Sequence, residues 1–157
     1  MASYISPEGH RRLLAEYNDL LHKERPRITA EVSYAASLGD RSENSEYLYG
    51  KKRLREIDSR LRFLLKRLES IQVVDPAGFA GDTVRFGATV VIEDEDGGTQ
   101  TWTILGEDEV DTNNRVISCV SPLGRALMGR SVGDDVTFET PRGKREVTIQ
   151  SVTWPPR

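Results

Sequence analysis

Tyr47, Leu54, Ile57, Leu61, Leu64, Leu68 and Ile71 recur at alternating steps of three and four, with Gly50 filling one slot. That period is a heptad seam, and it predicts one long helix with a continuous apolar stripe. Such a helix extends roughly 40–45 Å at 1.5 Å per residue. It cannot bury its stripe alone, so the chain must supply a second helix of similar length to zip against it.

The segment before it supplies one. Ser6-Pro7-Glu8 is a helix start: a capping hydroxyl, proline at the first helical position and an acid in the first turn. Leu13, Leu14, Tyr17, Leu20, Leu21, Ile28, Val32 and Ala35 then follow a helical period, and Gly39 marks a stop. Pro26 removes one backbone donor and predicts a kink or a split. If the turn centres near residue 41, facing residues have numbers adding to about 82–84 in an antiparallel pair. Ile28 then meets Leu54, Leu21 meets Leu61, Leu14 meets Leu68, Leu20 meets Leu64, and Leu13 meets Ile71. Val32 falls opposite Gly50, where a missing side chain lets the helices approach. Arg53, Arg60 and Arg67 recur every seventh position beside the seam. The same rule sets them opposite Glu31, Glu24 and Glu16, as flanking ion pairs that each contribute little.

Between the two helices lies the polar stretch Ser37-Leu38-Gly39-Asp40-Arg41-Ser42-Glu43-Asn44-Ser45. Asp40-x-x-Glu43 fits a capping box, and Ser42 or Asn44 also fits a cap. The same two carboxylates fit a share of a hard cation such as Mg²⁺, which keeps most of its waters and takes one or two acids. Two acids alone bind it weakly, so that role requires a second body supplying the remaining ligands. A further basic stripe, Lys51, Arg55, Arg62 and Lys66, has no acids opposite it. It is either a solvated face or a track for a phosphate backbone.

Charge is uneven along the chain. Residues 1–75 carry 14 Lys/Arg against 12 Asp/Glu, and residues 76–157 carry 8 against 13, which suggests a different partner for each half. No apolar run is long enough for a membrane span or a signal peptide. The single Cys119 sits in the apolar run Val116-Ile117-Ser118-Cys119-Val120, as expected of a buried thiol in a cytoplasmic protein. One cysteine and two separated histidines, His10 and His22, form no zinc or dyad pattern, and both histidines fall on a charged helix.

Heptads give way to alternation at Asp75-Pro76-Ala77-Gly78. The division expected is a coiled-coil domain over 1–75 and a small α+β domain over 76–157. Strands are expected within 83–92, over 99–105 and over 115–118, with Glu93-Asp94-Glu95-Asp96-Gly97-Gly98 as an acidic hairpin turn. Ser121-Pro122 opens a short helix, and 136–140 with 145–149 closes the domain as a hairpin. Phe86, Trp102, Phe138 and Trp154 are expected to fill its core.

Ala35-Ala36-Ser37-Leu38-Gly39-Asp40-Arg41-Ser42-Glu43-Asn44-Ser45-Glu46-Tyr47, followed by Lys51-Lys52-Arg53-Leu54-Arg55-Glu56-Ile57-Asp58, closely resembles the GreA/GreB bacterial transcript cleavage factors, the GreB branch in particular. The likeness extends through Glu24-Arg25-Pro26 and Ser121-Pro122-Leu123-Gly124-Arg125-Ala126-Leu127, so it covers essentially the whole chain. It implies an α+β protein with an antiparallel coiled-coil hairpin and a C-terminal domain of the FKBP type used for docking. It implies that the coiled coil enters the secondary channel of RNA polymerase and meets the 3′ end of nascent RNA in a backtracked complex. There Asp40 and Glu43 would complete a Mg²⁺ site shared with the polymerase, with Arg41 and Ser42 supporting the tip. The factor would stimulate cleavage by the polymerase and would not itself be an enzyme. The resemblance turns Lys51, Lys52, Arg53, Arg55 and Arg62 into candidates for a basic patch that holds RNA, Arg53 keeping its ion-pair role alongside. It makes Val120, Ser121 and Pro122 the polymerase-docking loop, with one departure: the family commonly carries Asp or Asn where this chain has Val120. The chain is expected to act as a monomer in the cytoplasm. Two alternatives remain: a channel-binding regulator that blocks without stimulating cleavage, and a helical-hairpin chaperone or prolyl isomerase acting away from polymerase.

Overall fold

The computed structural model describes residues 3–39 and 44–157, and these form two compact units. One is His10–Ser70. The other joins residues up to Gly9 with Ile71–Arg157.

The helical unit is an antiparallel hairpin. Its first arm contains α1 (Pro7–Asp19), a π-helical turn (Leu20–Glu24) and α2 (Arg25–Ser37), and its second arm is α3 (Ser45–Ser70). The interruption expected at Pro26 takes the form of this wide turn, which divides the arm into α1 and α2. Pro26 has no N–H for the carbonyl four residues back. The Arg25 N–H bonds instead to the Leu20 carbonyl, five residues back, and the helix continues.

That turn adds one residue to the arm, and it changes which residues meet α3. Counting back in sevens from Ile28 gives Leu21 and Leu14. The buried positions are Leu20 and Leu13, one residue earlier, while Leu14 is 41% exposed and Leu21 half-buried. On α3 the buried seam is Gly50, Ile57 and Leu64. The flanking ion pairs shift as well. Arg53 pairs with Glu24, and Arg60 pairs with Glu16 at 2.7 Å. The acids are eight residues apart where the arginines are seven apart, which takes up the extra residue. Glu31, the partner expected for Arg53, is held within its own arm by Arg27 at 2.8 Å. A third cross-hairpin pair, Arg25 with Asp58 at 2.8 Å, lowers the Asp58 carboxyl from its ordinary value through that hydrogen bond.

In the other unit, Ser6 caps α1 as expected, its Oγ accepting from the Gly9 N–H at 3.1 Å. Two short strands escaped the sequence reading. β1 (Ser3–Ile5) pairs in parallel with β2 (Ile71–Val73), so Ile71 is the first residue of a strand rather than the last of the seam. The main sheet contains β3 (Thr89–Asp94), β4 (Thr99–Leu105), β5 (Val116–Ser118), β6 (Asp135–Thr140) and β7 (Gly143–Thr153). Their order is β5-β4-β3-β7-β6, antiparallel except for β4 with β5. The acidic turn after β3 closes on Asp94, whose Oδ1 accepts from the Asp96 and Gly98 N–H groups at 2.9 and 3.0 Å. The helix α4 (Pro122–Leu127) contributes Leu127 to a core of Val84, Ala88, Val90, Ile92, Ile104, Val136, Val147 and Ile149. Phe86 is buried, and Trp102, Phe138 and Trp154 are half-buried against that core. Cys119 also packs there but is half-buried rather than enclosed, because it lies just past the end of β5; burial nonetheless pushes its thiol pKa up.

No helix among the described residues is long and apolar enough to cross a membrane.

Candidate nucleic-acid interface and hairpin tip

The tip is framed by two helix ends. The first arm closes through the Leu38 N–H to the Ala35 carbonyl, and Gly39 follows at φ +128°, a conformation that L side chains rarely adopt. The second arm opens at Asn44. Its Oδ1 accepts from the Tyr47 N–H at 3.2 Å, which is the N-cap of α3, and its Nδ2 donates to the Ala35 carbonyl at 2.6 Å. One side chain therefore caps one helix and ties it to the end of the other. Asp40, Arg41, Ser42 and Glu43 lie outside the described residues. Of the caps expected from the sequence, Asn44 is the one seen among the described residues, directly before the start of α3 at Ser45.

The basic residues separate into two groups. Arg53 is half-buried and committed: its Nε donates to Glu24 at 2.9 Å and its Nη1 to Glu56 at 3.3 Å. Lys51, Lys52, Arg55, Arg62 and Lys66 are exposed on α3. Arg62 donates to the Ser59 hydroxyl at 3.1 Å, and no ion pair is formed by Lys51, Lys52 or Arg55 among the described residues. Steps of four and seven put Lys51, Arg55, Arg62 and Lys66 on one face. That face is a row of exposed cations, of which only Arg62 is seen to act on a carboxylate, Asp58, among the described residues, and its charge suits a polyanion.

Among the described residues no three His, Cys, Asp or Glu side chains gather as a metal site.

The loop before α4 is built for rigidity. Ser121 Oγ donates to the Ser118 carbonyl at 2.6 Å and accepts from the Gly124 N–H at 3.1 Å. The Val120 N–H donates to Ser118 Oγ at 3.1 Å. This leaves the Val120 side chain 36% exposed and Pro122 exposed at the first helical position. Beside them lies a hollow of about 400 Å³ lined by Tyr4, Cys119, Val120 and Met128, with Glu107 and Arg125 on its wall.

Sequence reasoning missed Glu109. This carboxylate is 5% exposed and accepts from the Ser6 N–H at 3.1 Å, from the Ser6 hydroxyl, and from the Gly106 N–H at 2.9 Å. It lies in an acidic run, Glu107-Asp108-Glu109, that looks like an exposed loop, so no local signal marks it as buried.

These features define a two-unit protein. Its exposed cations belong to a helical hairpin, and its sheet unit presents a hydrogen-bonded loop beside an apolar hollow. Residues 3–73 match the family described as Transcription elongation factor, N-terminal, and residues 80–154 match Transcription elongation factor, GreA/GreB, C-term. The chain belongs to the GreA/GreB family of transcription elongation factors. It is 51% identical over 152 residues to transcription elongation factor GreB of Pseudomonas aeruginosa, across 97% of this chain and 90% of that protein. It is also 51% identical over 153 residues to transcription elongation factor GreB of Neisseria meningitidis serogroup B, across 97% of this chain and 94% of that protein. Among solved structures, GreA factor homolog 1 of Thermus thermophilus aligns at 22% identity and TM-score 0.44, across 98% and 99% of the two chains.

Proposed function

We propose that this elongation factor inserts its helical hairpin into the secondary channel of bacterial RNA polymerase and stimulates Mg²⁺-dependent cleavage of the 3′ end of backtracked RNA. The observation that carries this reading is the Asn44 cap. With Asn44 supplying the N-cap of α3, that cap requires neither acid, and the Asp40-x-x-Glu43 pair of the sequence is left for chemistry. Two carboxylates offer too few oxygens to hold Mg²⁺ firmly, which favours about six ligands. They fit an ion whose other ligands come from the polymerase and the RNA. When bound, such an ion would lower the pKa of a water and offset charge on the phosphate. Asp40 and Glu43 would help hold it and orient that water, and Arg41 and Ser42 would support them. Lys51, Lys52, Arg55 and Arg62 hold the extruded strand through its phosphates. Val120, Ser121 and Pro122 dock the sheet unit on the polymerase rim, an apolar contact at Val120 standing in for a polar one.

The test is RNA cleavage in a stalled, backtracked elongation complex with Mg²⁺, comparing the wild-type chain with Asp40→Asn/Glu43→Gln. Stimulation by the wild type alone, with both proteins bound equally, supports the reading. Equal stimulation by both removes the acids from the chemistry. Binding without stimulation by either identifies a factor that blocks the channel.

A further inference from the structure

We infer that Tyr34 and Tyr49 form a stacking site for an unpaired nucleobase of the RNA held by the hairpin. The inference rests on the functional reading above and names the part of the RNA that this surface takes. Tyr34 on α2 is 66% exposed and Tyr49 on α3 is 68% exposed, among the most exposed large hydrophobic residues described. Both line one hollow of about 700 Å³, with Ala30, Glu31, Ser45, Glu46 and Gly50 as its other walls.

The hollow exists because the residues between the rings are small. Gly50 is buried against Val32, so the arms approach closely there, and Ala30 and Ser45 leave the space beside that contact unfilled. Neither tyrosine contributes to the seam of the hairpin, which is Ile28, Ala35, Gly50, Ile57 and Leu64 at this end and below. Two aromatic rings kept in water beside an unfilled hollow have no role in holding the fold.

Charge selects the occupant and its orientation. Glu46 and the Arg27-paired Glu31 line the hollow and no cation among the described residues does, so a phosphate finds no attraction in its interior. Lys51 and Lys52 follow directly on α3, exposed and outside the hollow, where a backbone phosphate is attracted. A base entering face-on with its phosphate outside satisfies both. Every base has a π-face, so stacking on tyrosine does not depend on sequence. Carboxylate oxygens at the wall favour bases that present an exocyclic amino group, as adenine, cytosine and guanine do.

The test uses the full chain in a backtracked elongation complex whose extruded RNA carries 6-thioguanosine, a short-range photocrosslinker that keeps an exocyclic amino group. Two readouts are taken together: the peptide crosslinked to RNA, and the factor concentration giving half-maximal cleavage. Tyr34→Phe/Tyr49→Phe keeps both rings, and Tyr34→Leu/Tyr49→Leu removes them at similar bulk. Circular dichroism verifies folding, which substitutions at exposed positions leave intact. The expected result is a crosslink within 34–49 for the wild type and the Phe variant. The Leu variant should lose it and need at least about fivefold more factor. A Leu variant equal to the wild type overturns the stacking site and leaves the cleavage reading standing. A weakened Leu variant with no RNA crosslink in any protein gives the hollow to a protein surface and also overturns it. A ring-dependent crosslink without stimulated cleavage supports stacking while removing the cleavage function.

Discussion

Val32 occupies the space that a side chain on Gly50 would take: a Cβ built on Gly50 would sit on Val32 Cγ2, far inside van der Waals contact. In most helices Gly→Ala stabilises by about 1 kcal/mol. Here overpacking opposes that gain by about 1–3 kcal/mol, because a β-branched methyl cannot swing aside as the end of a long chain can. Gly50→Ala should therefore lower stability in urea unfolding. In a Val32→Ala background the sign should reverse, with Gly50→Ala raising stability by about 1 kcal/mol. Stabilisation in both backgrounds would mean the arms do not meet at this pair.

Asn44 does two jobs, and its variants can separate them. Asn44→Ala removes the cap and the bond to the Ala35 carbonyl, for an expected loss of about 1–2 kcal/mol. Asn44→Asp keeps the cap acceptor but has no donor for Ala35, so it should fall between wild type and alanine. Hydrogen exchange at the Tyr47 amide distinguishes them: protected in wild type and Asp, released in Ala. If the tip acids depend on this frame, stimulated cleavage should fall in the same order.

What the sequence disclosed follows from how local each signal is. The seam of α3, the Ser6 and Ser121 caps and the Gly50–Val32 pairing were legible because period, cap chemistry and residue size are local or repeat regularly. The register of the first arm was not. Pro26 announces a missing donor, but whether the backbone answers with a kink or a π turn depends on packing against α3. That choice moved Leu14 out of the seam and sent Arg53 to Glu24 instead of Glu31. β1 and β2 are three residues each, too short for alternation to show. Glu109 is buried only because Ser6, more than a hundred positions away in sequence, brings two donors to it. The cations of the site were legible as a stripe; the Tyr34–Tyr49 hollow was not, since it arises from two separate helices.

The Arg60 hydrogen bond holds the Glu16 carboxyl below its ordinary value, with the guanidinium charge acting in the same direction and partial burial against it. A carboxyl depressed in the folded state adds stability above its unfolded value and loses it as pH falls through the folded value. Glu16→Gln should thus destabilise by about 0.2–1 kcal/mol near neutral pH, the range for exposed pairs. The difference from wild type should shrink as pH falls through the lowered folded value and vanish once Glu16 is protonated in both states. A gap that persists there would assign the effect of Glu16 to packing rather than charge.

Glu109 offers a test without any charge readout. Glu109→Ala leaves the Ser6 and Gly106 N–H groups and the Ser6 hydroxyl buried without an acceptor, for an expected loss of about 1–3 kcal/mol. Gly9 leaves no slack for a rearranged side chain, because a Cβ there would collide with Glu109. Gly9→Ala should consequently destabilise in the wild type and much less in Glu109→Ala. Additive losses would show that the two residues act separately.

Arg53 and Arg55 differ by two positions and should behave as opposites. Arg53 is half-buried and bonded to Glu24 and Glu56, whereas Arg55 is exposed and forms no ion pair among the described residues. Arg53→Ala should lower thermal stability, since it leaves Glu24 half-buried beside the seam without its cation, and should change RNA crosslinking only in proportion to unfolding. Arg55→Ala should leave the melting curve unchanged within about 0.5 kcal/mol, as exposed substitutions do. It should instead weaken crosslinking of extruded RNA, and the salt dependence of that crosslinking should become shallower by roughly one phosphate contact. Arg62→Ala should follow Arg55, and the Arg55→Ala/Arg62→Ala pair should lose about twice as much of the salt slope. If Arg53→Ala proved the one that flattened the slope while keeping its melting temperature, the RNA track would run along the flank of the seam rather than the exposed face of α3.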